Sequence, residues 1–110
     1  MIFKYDELKE CVSKDFSRFY TMGFNGKQIY PAILDEYKYG EDFCQVENIC
    51  IHSFIIIKYI ENNFNANHIY KELEDLLKKI DKEVLKQELT EEYETFLRDM
   101  DIIMSLKKET

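Results

Sequence analysis

Apolar side chains recur at spacings of three and four along almost the whole chain, and the places where that rhythm breaks divide it into helices. Leu8, Cys11, Val12, Phe16, Phe19 and Tyr20 share one face of a helix predicted over 6–22. Asp6 is its expected cap, Glu7 and Glu10 suit its positive end, and Gly23 is its stop. The next residues, Phe24 to Gln28, read as a turn in which Asn25 and Gln28 carry the spacing of a reciprocal N-terminal cap. Pro31 conflicts with so early a start, because beyond the first turn it lacks the amide donor and clashes with the preceding carbonyl. The reading is an irregular lead-in and a regular helix from about Pro31 to Tyr39, carrying Ile33, Leu34 and Tyr37 and ending at Gly40.

The densest apolar run lies between Gly40 and Asn63. Phe43, Val46, Cys50, Phe54, Ile57 and Tyr59 or Ile60 mark one helical face, and Ile49, Ile51, Ile55 and Ile56 widen it nearly all round. A helix apolar on most sides is buried on most sides, so this segment, capped by Asp42, is expected at the centre of the fold. The β-branched and aromatic residues from Ser53 to Ile60 admit a strand instead, and the helical spacing from Phe43 onward favours helix.

After an Asn-rich break, Asn67 is the expected cap of an amphipathic helix carrying Ile69, Leu73, Leu76, Leu77, Ile80, Val84 and Leu85. Thr90 restarts the pattern as a hydroxyl cap, followed by Tyr93, Phe96, Leu97, Met100, Ile103, Met104 and Leu106. The expected architecture is all-α: a single-domain antiparallel bundle of about five helices over 1–110, with core helices over 6–63 and a C-terminal helical hairpin over 67–108. No internal repeat is read from the chain.

Composition narrows the function classes. At 110 residues the chain can bury one real core, and 45% hydrophobic residues with 15% aromatics exclude disorder. Its 22 acidic and 15 basic side chains leave a formal charge of -7, which repels a nucleic-acid backbone and suits a basic or neutral protein partner. Neither an export signal nor a membrane span is read, so a cytoplasmic location is expected. Cys11, Cys44 and Cys50 sit inside apolar patterns without Cys-x-x-Cys spacing, which fits reduced thiols and no zinc site.

Candidate chemistry is sparse. Cys50 and His52 stand two apart, about 200° around a helix, and cannot share a proton. His52 reads as a hydrogen-bonded core or boundary residue, and His68, opening a helix, as solvated. Glu47 lies five residues from His52, off the face that a carboxylate-histidine metal site needs, and reads as facing solvent or paired with a lysine. No catalytic residue, metal site or cofactor is expected, and no enzyme.

Two acidic groups remain. Asp35, Glu36, Glu41 and Asp42 surround the Gly40 turn, and Glu88, Glu91, Glu92 and Glu94 gather before the last helix. Solvation and helix capping explain both. The first adds exposed-looking aromatics, Tyr37 and Tyr39, so that Asp35, Glu36, Tyr37, Tyr39, Glu41 and Asp42 form the candidate partner-binding surface, steering a basic partner by charge and anchoring it with rings.

Tyr5-Asp6-Glu7-Leu8 opening a helix, Gly23-Phe24 after it, Glu36-Tyr37 late in the second helix and Glu47 early in the third together resemble a small all-helical family of bacterial immunity proteins. It is the third numbered family among those guarding polymorphic toxins. The resemblance covers roughly residues 4–60, and Pro31 departs from the continuous second helix expected there. It implies a protein made beside a secreted toxin that neutralises this partner by tight stoichiometric binding, without chemistry of its own. The alternative is a regulatory or structural helical module that self-associates, as a homodimer, through its C-terminal helices.

Overall fold

The computed structural model describes residues 4–37, 45–64 and 67–109, with side chains over 4–37, 46–64 and 67–107. Six α-helices follow one another among the described residues: α1 (Tyr5–Thr21), α2 (Gly26–Tyr37), α3 (Gln45–Glu61), α4 (Asn67–Lys79), α5 (Lys82–Leu89) and α6 (Tyr93–Glu109), with a single 3₁₀ turn at Thr90–Glu92. Five of them are 12 residues or longer and α5 has only eight, so the all-α bundle of about five helices is the observed fold. No described helix is long and apolar enough to cross a membrane.

The central helix is α3, and it packs against α1, α2, α4 and α6. Val46, Ile49, Cys50, Ile51, Phe54, Ile55, Ile56 and Tyr59 are all buried, so nearly every direction around α3 meets another helix. The strand alternative for Ser53–Ile60 is excluded, because these residues are helical throughout. One core runs from Tyr5 on α1 to Ile103 on α6, and the C-terminal helices contribute Phe96, Met100 and Ile103 to it. At the ends of the chain, the Tyr5 hydroxyl donates to Asp99 and the Lys107 ammonium to Glu74.

Several boundaries differ from the sequence reading. Helix α1 begins one residue early, with Lys4 in the capping position and its amide donating to Glu7, which leaves Asp6 inside the first turn. Helix α2 begins at Gly26, not near Pro31: Asn25 Oδ1 accepts the amides of Lys27 and Gln28 at 3.0 Å each, and Gln28 Oε1 accepts the Asn25 amide at 2.9 Å. That reciprocal cap holds the helix start, and Pro31 is accommodated inside. The adjacent Tyr30 amide donates to the buried Tyr59 hydroxyl at 2.9 Å, so α3 supplies a polar partner beside the residue that disturbs the ladder. The expected cap Asp42 and the residues Tyr39 and Gly40 lie outside the described residues.

The long amphipathic helix expected after Asn67 is two helices. Asp81 interrupts it, accepting the Glu83 amide at 2.8 Å and starting α5, and Val84 is 45% exposed instead of belonging to the stripe. Thr90 is not the cap of the last helix: it sits at φ 46° closing α5, and its hydroxyl points to Glu92, two residues on.

The turn after α1 and the turn after α3 share one construction. Phe24 and Phe64, Asn25 and Asn65, Ile29 and Ile69, and Tyr30 and Tyr70 recur at a constant offset. Gly23 (φ 94°) and Asn63 (φ 61°) take left-handed conformations at matching positions. The Phe24 amide then bonds the Phe19 carbonyl at 3.1 Å, and the Phe64 amide bonds the Tyr59 carbonyl at 2.8 Å. Each pair of rings closes edge to face, at 5.1 Å for Phe19 and Phe24 and 5.7 Å for Tyr59 and Phe64. Thus α1–α2 and α3–α4 are two helical hairpins turned by the same backbone motif.

Candidate functional site

The described part of the predicted surface is partly committed to holding α1 against α2. Arg18 grips the Glu36 carboxylate through both oxygens, at 2.5 and 2.6 Å, and lies 3.3 Å from Asp15. Its guanidinium also covers the Phe19 ring at 4.6 Å. Tyr37 is half-buried and its hydroxyl donates to Asp15 at 3.1 Å, so it is not the exposed anchor expected. Burial, followed by the Asp15 charge, pushes the Tyr37 phenol up; burial likewise raises the Asp15 carboxyl, with the Tyr37 hydrogen bond opposing. Asp35 is exposed. Tyr39, Glu41 and Asp42 lie outside the described residues.

A second polar site lies between α3 and α4. Asn48 and His52, one turn apart on α3, face Glu72, Asp75 and Lys79, one turn apart from each other on α4, across a cleft of about 280 Å³. His52 is 5% exposed. Its Nδ1 donates to the Asn48 carbonyl at 2.7 Å, which fixes the ring so that Nε2 meets Glu72 Oε2 at 3.5 Å. The same Glu72 oxygen accepts the Tyr30 hydroxyl from α2. The Tyr30 ring stands edge to face on His52 at 5.4 Å, and burial, with the hydrogen bond to Glu72 second, pushes its phenol well above the usual range. A proton on His52 Nε2 makes the approach to Glu72 an ion pair. Three helices thereby hold one carboxylate.

Opposite that carboxylate, Asn48 Oδ1 is buried without a hydrogen-bond partner. Buried amide oxygens are ordinarily paired, and this one, enclosed by protein, is an exception. Among the described residues no group of three or more His, Cys, Asp and Glu side chains is placed to hold a metal ion. Cys50 is fully buried and His52 turns to α4, in keeping with the helical geometry that separates them. Glu47 does not face solvent: it is 4% exposed.

The sequence reading missed this cleft although its signal is present. Asn48 and His52 are polar residues one turn apart on the most apolar helix, and Glu72, Asp75 and Lys79 repeat at spacings of three and four. What could not be read was that these residues face one another.

Compared with protein-family models, curated proteins and solved structures, the chain matches none of them. The functional reading therefore rests on its own residues and on the resemblance over 4–60.

Proposed function

We propose that the chain is an immunity protein that neutralises a cognate bacterial toxin by direct stoichiometric binding. The observation that carries this reading is a net charge of -7 combined with exposed carboxylates, Asp35 and Asp75, that are not spent on internal pairing. Such groups attract a basic partner over distances up to about a Debye length and bond it at contact. The partner is a toxin whose own substrate groove is basic, and the inhibitor acts by filling that groove without catalysis of its own. Asp35, together with Tyr39, Glu41 and Asp42 of the sequence reading, is assigned as its leading edge, while Glu36 and Tyr37 are engaged with Arg18 and Asp15.

Co-expression with the product of the adjacent gene tests the reading: a one-to-one complex is expected on purification. Charge reversal at Asp35, Glu41 and Asp42 is expected to slow association by about tenfold at low salt and less at high salt. Full-speed binding with an unchanged salt dependence refutes the assignment of that surface.

Self-association is the second reading, and one observation favours it. Leu97 and Ile102 are 40% and 54% exposed on α6, and Ile102 borders an apolar cleft of about 260 Å³ with Ile57, Ile60 and Leu106. Light scattering on the full chain and on Ile102→Glu separates the readings: a dimer that the substitution dissolves supports this one, and monomers throughout oppose it. Removal of the C-terminal helices would not serve, because Phe96, Met100 and Ile103 belong to the common core.

A further inference from the structure

We propose that Asn25–Gly26 is a site of spontaneous deamidation, held closed by the folded turn and released when that turn opens. The inference is independent of the immunity reading and concerns the chemistry of one peptide bond.

Of the asparagines in the chain, only Asn25 is followed by glycine. Deamidation begins when the next backbone nitrogen attacks the side-chain amide carbon. A following Cβ obstructs that approach, so in an open chain Asn25 is the most reactive asparagine. Two demands of the fold create the pair. Position 26 calls for glycine, because a Cβ there would lie 2.5 Å from the Phe64 ring. Position 25 calls for a short side chain with an acceptor, and Asn25 Oδ1 supplies it to the amides of Lys27 and Gln28. Asn25 is exposed, and both residues border a surface recess of about 360 Å³ with Tyr20, Phe24 and Phe64, so water reaches the bond. The Gly26 amide opens α2 and has no place in its hydrogen-bond ladder, which leaves the attacking nitrogen uncommitted.

The same turn restrains the reaction. Closing the ring swings Asn25 Cγ onto the Gly26 nitrogen and turns the Asn25 backbone out of its capping geometry. That movement gives up the two bonds to Oδ1 and the 2.9 Å bond from the Asn25 amide to Gln28 Oε1, and it disturbs the Ile29 amide held by the Asn25 carbonyl at 3.1 Å. Phe64, packed over Gly26, opposes rotation of the intervening peptide. Reaction therefore follows local opening of the turn.

Once the turn is open, the Gly26 amide loses its proton to a solvent base and its nitrogen bonds Asn25 Cγ. The side-chain nitrogen leaves as ammonia, taking a proton from solvent, and a five-membered imide remains. Water then opens the imide at either carbonyl. Addition at Cγ restores the main chain and leaves aspartate, which accepts the same two amides and places a negative charge at the positive end of α2. Addition at the backbone carbonyl leaves isoaspartate, which routes the main chain through the side chain and adds a methylene before Gly26. The first product keeps the cap, and the second displaces the start of α2 from beneath Phe64.

The test is incubation of the full-length protein in mildly alkaline buffer, with and without urea, followed by peptide mass spectrometry that separates aspartate from isoaspartate. Deamidation at position 25 should be at least about tenfold slower in buffer than in urea. Gln28→Ala, which removes one exposed cap bond, should speed the reaction in buffer by about threefold and leave the rate in urea unchanged. Ile103→Val, a core change on α6 of comparable cost, should leave both rates unchanged. Asn25→Asp should fold with its Lys27 and Gln28 amides still protected from hydrogen exchange, whereas the isolated isoaspartate form should lose that protection. Equal rates in buffer and urea, earlier reaction at another asparagine, or equal acceleration by Ile103→Val and Gln28→Ala would overturn the proposal. Loss of amide protection in Asn25→Asp would overturn the assigned fate of the aspartate product.

Discussion

The two helical hairpins are turned by the same motif and loaded differently. In the first, Phe24 closes onto Phe19. In the second, Phe64 closes onto Tyr59 and continues inward, reaching Phe16 at 6.3 Å and lying so close to Gly26 that a Cβ there would fall 2.5 Å from its ring. The second turn thereby pins the first, since Gly26 opens α2. A further pair of departures goes together: α2 carries Pro31 where α4 carries Lys71, and α3 carries Tyr59 where α1 carries Phe19. The extra hydroxyl serves the Tyr30 amide beside the proline. A repeated turn motif thus leaves room for one copy to become structural support for the other.

The strongest way to break this asymmetry is Phe64→Ala, expected to cost about 3 kcal/mol by denaturant unfolding, against about 1.5 kcal/mol for Phe24→Ala. Equal losses would show that the second turn has no special load. Gly26→Ala comes next, at about 2 kcal/mol from overpacking against the Phe64 ring. Its cost should shrink sharply in a Phe64→Ala background, a non-additivity that a double-mutant cycle measures. Tyr59→Phe should cost about 1.5 kcal/mol by leaving the Tyr30 amide without its hydroxyl partner.

Smaller effects separate the two left-handed positions. Gly23→Ala should cost about 1 kcal/mol through backbone conformation alone, because its φ of 94° is strained for a side chain while nothing lies within 4 Å of the added Cβ. Asn63→Gly should be neutral or slightly stabilising. The matching tyrosines can be distinguished by pH. Burial raises both phenols, Tyr30 and Tyr70, and Tyr30 is raised further by its bond to Glu72. The unfolded chain releases these protons near pH 10 while the folded chain keeps them, so stability is full below that value and declines above it. Tyr30→Phe should flatten that alkaline decline more than Tyr70→Phe, as followed by phenolate absorbance and circular dichroism.

Much of the helical register was legible, because Leu8 to Phe19 and Phe96 to Ile103 obey a periodicity that burial alone imposes. The errors fall where a local rule met a distant partner. Pro31 argued against a helix start at Gly26, yet the Asn25–Gln28 cap and the Tyr59 hydroxyl maintain one. Apolar spacing ran on through Ile80 and Val84 and hid the cap at Asp81. Of the predicted surface, Glu36 and Tyr37 are engaged by Arg18 and Asp15, charges on α1 that spacing within α2 cannot reveal. The α3–α4 cleft escaped notice for the same reason: the relation of His52 to Glu72 exists only once the second hairpin has closed.

The bond from Tyr5 to Asp99 spans 94 residues and joins the first helix to the last. A chain emerging from the ribosome can form its first hairpin early, but the core remains open until α6 is synthesised and delivers Phe96, Met100 and Ile103. Truncated products therefore lack the closed core, and premature termination yields targets for proteolysis. That closure makes the complete core arrive only with the final helix.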